Sequence, residues 1–228
     1  MLVINQNHII VKKLLILFVL GYSSVLFAQS KVRLGAHIDP IFSWFSPKTS
    51  QIEKDGARLG YNGGLIVEYY FAPNYAFVTG LNLTQLGGNL IYKEEVDITT
   101  GEGDHVLLPP ETSVAFNVNY LTVPMALKLK SNEIGYFTYY AELGFSPQVN
   151  IGSRATSTGG ALNKDNVSKE INAFNVSFFF GGGIEYSLGG NTSLLAGLFF
   201  NNGFTDVLSA DRHKAGLNYV NIRFGVMF

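Results

Sequence analysis

The chain closes on an unbroken alternation. Val220, Ile222, Phe224, Val226 and Phe228 fall on one side of its last segment, and Tyr219, Asn221, Arg223, Gly225 and Met227 on the other. A period of two is that of a β-strand whose two faces differ. The pattern recurs upstream. Leu65, Val67, Tyr69 and Phe71 alternate with Gly64, Ile66, Glu68 and Tyr70. Phe137, Tyr139, Ala141, Leu143 and Phe145 alternate with Thr138, Tyr140, Glu142 and Gly144. Phe174, Val176, Phe178, Phe180, Ile184 and Tyr186 oppose Asn175, Ser177, Phe179, Gly181, Gly183 and Glu185. Leu121, Val123, Met125, Leu127 and Leu129 oppose Thr122, Pro124, Ala126 and Lys128, with a change of phase, and hence a bulge, expected near Asn119.

Eight strands follow from this patterning: 32–45, 59–71, 75–92, 114–130, 136–151, 173–188, 192–204 and 217–228. Long polar connections (46–58, 93–113, 153–172 and 205–216) alternate with tight turns at Ala72-Pro73-Asn74, Ser131-Asn132-Glu133 and Gly189-Gly190-Asn191. Strict alternation of long loops and short turns is the layout of an eight-stranded antiparallel up-and-down transmembrane β-barrel, an all-β fold with both termini at the short-turn, periplasmic side. The segments reach the ~9–11 residues that a tilted strand needs to cross a bilayer.

Alternation alone does not say which face points inward, since a soluble ligand-binding barrel would place its apolar residues inside. The inverted assignment gives a coherent lumen. Arg33, His37, Glu68, Lys128, Glu142, Glu185 and Arg223 then all face inward, with acids and bases closely matched. An eight-stranded interior is only wide enough for side chains to fill it, so these charges are expected to pair across a plugged lumen. The closing-strand residues Val220, Ile222, Phe224, Val226 and Phe228 then meet outer-membrane lipid. Phe42, Trp44 and Phe45, and at the other end Tyr69 and Tyr70, are expected in interfacial aromatic belts.

The N-terminus reads as a signal peptide over 1–28, with the barrel domain at 29–228. Lys12 and Lys13 precede an apolar run, Leu14 to Phe27, and Ala28 offers a cleavage point. The chain has 16 basic and 17 acidic residues; the leader removes two lysines and no acid, leaving a mature net charge of −3. That balance offers no basic face for nucleic acid. Cysteine is absent, which excludes disulfides, thiolate metal sites and a lipid-modified cysteine.

The segment Tyr120-Leu121-Thr122-Val123-Pro124-Met125-Ala126-Leu127-Lys128 resembles the Tyr-Leu-x-Ile/Val-Pro-x-x-Leu-Lys signature of PorT-like outer-membrane β-barrel proteins. Ala141 to Pro147 and Arg223 to Phe228 are similar to that family's following and closing strands. The resemblance implies an eight-stranded outer-membrane barrel and, for one subset, service in type IX secretion.

Candidate chemistry is sparse. The mature histidines are His37, His105 and His213. His37 and Asp39 share a strand face, Asp104-His105 and Asp211-Arg212-His213 lie in long loops, and no nucleophilic serine motif accompanies them. Asp97, Glu102 and Asp104 offer oxygen ligands to a cation but lack the spacing of a dedicated calcium loop. Gly181-Gly182-Gly183 lies within a strand and reads as relief of crowding. The expectation is a non-enzymatic barrel without catalytic residues, cofactor or metal. Its partners would be lipid, the barrel-assembly machinery through the C-terminal strand, and envelope proteins through the loops. A secretion accessory, a rim lipid-modifying enzyme and a soluble ligand-binding barrel are the alternatives.

Overall fold

The computed structural model describes residues 31–210 and 212–228, so the expected leader at 1–28 lies outside the described residues. Twelve strands are present among them: β1 Val32–Pro47, β2 Ile52–Ala72, β3 Tyr75–Tyr92, β4 Val96–Thr99, β5 His105–Leu108, β6 Thr112–Thr122, β7 Met125–Lys130, β8 Phe137–Ser157, β9 Asn163–Asn166, β10 Phe174–Gly189, β11 Thr192–Gly203 and β12 Ala215–Met227. Antiparallel pairing runs β10-β11-β12-β1-β2-β3, then through β6 and β7 to β8, and β8 pairs back with β10. The sheet is therefore a closed ring. β6 and β7 are two halves of one stave, since both lie between β3 and β8. The break falls at Val123-Pro124, where proline has no amide hydrogen to give the ladder. Eight staves result. The seam joins β1 to β12, from Gly35 opposite Met227 to Pro47 opposite Ala215.

The third strand matches its expected bounds, and the others begin and end within a few residues of theirs except at the long-loop end. There β2 and β8 each run for 21 residues, well past the span of a bilayer. The first long loop, expected at 46–58, shrinks to residues 48–51 because β1 and β2 carry the wall upward. Its acidic and basic residues Glu53, Lys54 and Asp55 are strand residues exposed to water, and inward Ile52 is buried. The second loop carries the β4–β5 hairpin, and the third carries β9 and a single 3-10 turn, Ser168–Glu170. At the opposite end, Gly189 and Gly190 adopt φ values of 100° and 61°, a left-handed turn that side chains resist.

The expected change of phase exists, but it lies on the neighbouring strand. Even-numbered residues face inward without interruption from Thr112 to Lys128. The pairing slips instead at Asn119 opposite Gly152 and Tyr120 opposite Asn150, which makes Ile151 of β8 the extra residue. Inward positions on β8 are accordingly even up to Gln148 and odd from Ser153. A change of phase on β6 would have turned Val114, Phe116 and Val118 outward. They look inward and are fully buried. The long-loop half of the interior is an apolar core, where Phe45 and Phe116 meet edge to face at 5.7 Å. This also corrects the aromatic belt: Phe45 belongs to that core, whereas Phe42 is exposed on the outer face. If β6 holds this single phase, Phe116→Ala removes a core ring and costs about 3–5 kcal/mol in chemical unfolding of the purified barrel. A near-neutral effect would instead place Phe116 on the outer face.

Candidate functional site in the barrel interior

Three tiers fill the barrel from the short turns upward. The lowest is ionic and centres on Lys128 of β7. Its side chain is 1% exposed, so its ammonium has no recourse to water. The Nζ group pairs with Glu68 of β2, stands 2.7 Å from Glu185 of β10 and 3.8 Å from Glu142 of β8, and lies over the Tyr140 ring at 4.3 Å. Arg33 of β1 approaches the same acids, at 3.0 Å from Glu185 and 3.8 Å from Glu68, and donates to the Ser193 hydroxyl at 2.7 Å. Arg223 of β12 donates to Glu142 at 2.9 Å and rests on the Phe199 ring at 4.1 Å. A Cβ at Gly181 would come within 2.5 Å of the Phe199 side chain, so the glycine on that inward face makes room for the ring.

Two further residues complete the ionic tier without having been counted at the sequence level. Lys130 reaches Glu185 at 2.7 Å. Tyr70, expected in an aromatic belt, turns inward and donates to Glu68 at 2.7 Å. Lys130 had no partner visible in the sequence because its acid lies 55 residues away.

The middle tier is a belt of amides and hydroxyls drawn from seven staves, with the Asp39 carboxylate and His37 supplied by the eighth, β1. Asn175 donates to Gln148 at 2.7 Å, Gln148 to Thr122 at 3.4 Å, and Thr84 to Asn62 at 2.9 Å. A hydroxyl has one proton, so the 3.0 Å Thr84–Thr122 contact is donated by Thr122. Asn62 then donates to Asp39 at 2.9 Å. From the other direction Asn201 donates to Asn221 at 3.0 Å and Asn221 to Asp39 at 2.7 Å. Donors on both arms thus point toward one carboxylate, that of Asp39 on β1. His37 stands beside it, Nδ1 at 2.7 Å, with Nε2 3.2 Å from Asn82. Arg223 Nε lies 3.9 Å from Asp39 and joins the belt to the ionic tier. Four basic residues (Arg33, Lys128, Lys130 and Arg223) therefore face four acids (Asp39, Glu68, Glu142 and Glu185).

The top tier is the apolar core, lidded by the long loops. Ile98, Leu108, Leu162, Val167 and Leu208 descend from three loops onto wall residues such as Leu86, Leu90 and Phe116. Polar ties lock the loops to one another. Thr99 N donates to Glu170 Oε1 at 3.0 Å, and Asn172 Nδ2 to the carbonyls of Asp206 and Leu208 at 2.7 and 3.1 Å.

The histidines are dispersed. His37 is sealed in the belt. His105 pairs with Asp97 across the exposed β4–β5 hairpin at 2.8 Å, and its sequence neighbour Asp104 is not its partner. His213 is buried in the lid, and Asp211 lies outside the described residues. Among the described residues no three His, Asp or Glu side chains converge as a metal site. The closing-strand residues Ile222, Phe224 and Phe228 are exposed on the outer face, and Val220 and Val226 are half-buried there.

Lys128→Met removes the cation that Glu68, Glu142 and Glu185 share, leaves their remaining partners to hold a surplus of buried negative charge, and lowers the unfolding free energy by about 3–5 kcal/mol. Adding Glu68→Gln to it recovers part of that loss, as the coupling of a double-mutant cycle shows. Asp39→Ala orphans the donors that converge on it and costs about 1–3 kcal/mol or more. Unchanged midpoints in chemical unfolding would contradict both expectations.

The model of a family described as outer membrane protein beta-barrel domain matches residues 27–209. Among solved structures, Neisserial surface protein A is 15% identical, with a TM-score of 0.48 over 87% of this chain and 96% of its own. The attachment invasion locus protein Ail of Yersinia pestis is 15% identical, with a TM-score of 0.42 over 86% of this chain and 98% of its own. The outer membrane protease OmpT of Escherichia coli is 9% identical, with a TM-score of 0.37 over 86% of this chain and 94% of its own. No curated protein matches the chain in sequence.

Proposed function

This chain belongs to the family of outer-membrane proteins built on a β-barrel domain, and from that premise we propose that it is a non-enzymatic barrel with a sealed lumen, which acts through its long-loop end. The observation that carries this reading is the filled interior. Lys128, Glu68, Glu142 and Glu185 occupy the lower lumen with almost no exposure, and the loops pack onto an apolar core above. A water-filled path would have to cross all three tiers.

The strands place both ends of the wall at the short turns, since β1 begins and β12 ends there. In this proposal that end faces the periplasm, reached through the signal peptide at 1–28. The outer band of Ile38, Leu65, Leu83, Phe180, Leu198 and Phe224 meets lipid, and its half-exposed side chains support that. The C-terminal strand, apolar on one face to Phe228, is what the barrel-assembly machinery would recognise. The histidines lie in three separate places and join no common cluster among the described residues, which supports a non-enzymatic reading. The segment Tyr120 to Lys128 supports a PorT-like assignment within the family. Its inward residues serve every tier: Tyr120 in the core, Thr122 in the belt and Lys128 in the ionic cluster. A secretion accessory is the alternative that this resemblance favours.

Reconstituted in planar bilayers, the purified protein should pass no steady current, and a stable open channel would overturn the sealed-lumen reading. Phe224→Lys should cost about 2–4 kcal/mol of barrel stability if that face meets hydrocarbon. A neutral effect would argue for water there.

A further inference from the structure

The lid contains a pocket of about 300 Å³ between the second, third and fourth loops. Its floor is apolar and aromatic: Tyr92, Ile98, Phe116 and Leu208 are all buried. Its rim is acidic, with Glu94, Glu95, Asp97 and Glu170 against the single arginine Arg212. Two of these carboxylates are already engaged, Asp97 by His105 and Glu170 by the Thr99 amide. Glu94 and Glu95 are exposed, and Glu95 has no ion pair among the described residues.

A second observation lies in the wall of the pocket. The His213 side chain is 9% exposed, packed edge-on against the Tyr92 ring at 5.1 Å. Its Nε2 is buried and makes no hydrogen bond among the described residues; the nearest acid, Glu94 Oε1, stands 3.5 Å away. Unbonded buried polar atoms are uncommon in folded proteins, because each loses its hydration without replacement. A ligand group that bonds Nε2 would remove that cost.

We propose that this pocket binds a small organic cation, a protonated amine on a short aromatic or apolar body. Excess carboxylate draws a cation to the rim, and the floor lined by Tyr92, Ile98, Phe116 and Leu208 takes a hydrocarbon body. A bare metal ion does not suit the pocket, because the acids do not converge on a common point. The volume is that of a small-molecule site, at the lower end of the ~300–1,000 Å³ range. The inference adds a ligand class to the loop-side role and does not depend on which leaflet the loops face.

The test uses the full barrel in detergent micelles, where both ends are open to solvent. Tyramine is titrated by calorimetry, with its neutral isostere tyrosol and protein-free micelles as references. Tyramine should bind at least ~10-fold more tightly than tyrosol, and its affinity should fall as salt rises, as expected of an exposed charge contact. The paired substitution of Glu94→Gln with Glu95→Gln should weaken tyramine ~10-fold or more, and His213→Gln should weaken both ligands. Heat-modifiable gel mobility verifies that each variant is folded. Equal binding of tyramine and tyrosol, no binding of either, or an unchanged affinity in the Glu94/Glu95 variant would each overturn the proposal. None of these outcomes bears on whether the lumen conducts, which the bilayer recording reads separately.

Discussion

A wall that meets hydrocarbon must satisfy every backbone amide and carbonyl within itself, because the solvent there offers no hydrogen bond. In this chain the requirement is met by the seam between β1 and β12, which turns an open sheet into a ring without edges. Closure at eight staves then fixes the interior at a width that side chains must fill. Everything inside follows from that width: no inward residue can avoid its neighbours across the lumen, so each inward position has to find a chemical partner there.

The three tiers are three solutions to the same constraint. Near the short turns, Lys128 and its acids offset the desolvation of buried charge by pairing, with Tyr140 and Phe199 supplying ring faces to the cations. At mid-height, neutral donors and acceptors link stave to stave and converge on Asp39. Near the long loops the interior is apolar, and the loops themselves supply the other half of the core. The order also makes sense of the lid. A polar lumen top would have required water or more ionic partners, whereas an apolar one holds the loops down by burial. The lid in turn shapes the acid-rimmed pocket, whose wall His213 sits at the junction between core and surface.

Some of this was legible in the residues. Periodicity placed eight staves, located Tyr75–Tyr92 to the residue, and assigned Glu68, Glu142, Glu185, Lys128 and Arg223 to one side of the wall. The ionic cluster was visible because charges on an otherwise apolar strand stand out. The belt was not visible: Asn62, Thr84, Gln148 and Asn221 are ordinary polar residues until ring closure sets them at one height. Lys130 was read as a strand-end residue because its acid, Glu185, comes from another stave, and Tyr70 was assigned to an aromatic belt although its acid, Glu68, lies two residues away on the same strand. The apolar inward residues Val114, Phe116 and Val118 carry the same signature as lipid-facing ones, and the phase change expected near Asn119 is met by an extra residue, Ile151, on β8.

The sequence by itself determined the local alternation, the strand count and the separation of turns from loops, because these depend on neighbours one or two residues apart. Only the tertiary structure decided which inward residues meet, where the polar interior gives way to an apolar core, and that three loops fold back as a lid. Those outcomes depend on stagger and closure of the ring, which bring together groups such as Asp39 and Asn221, 182 positions apart in the chain.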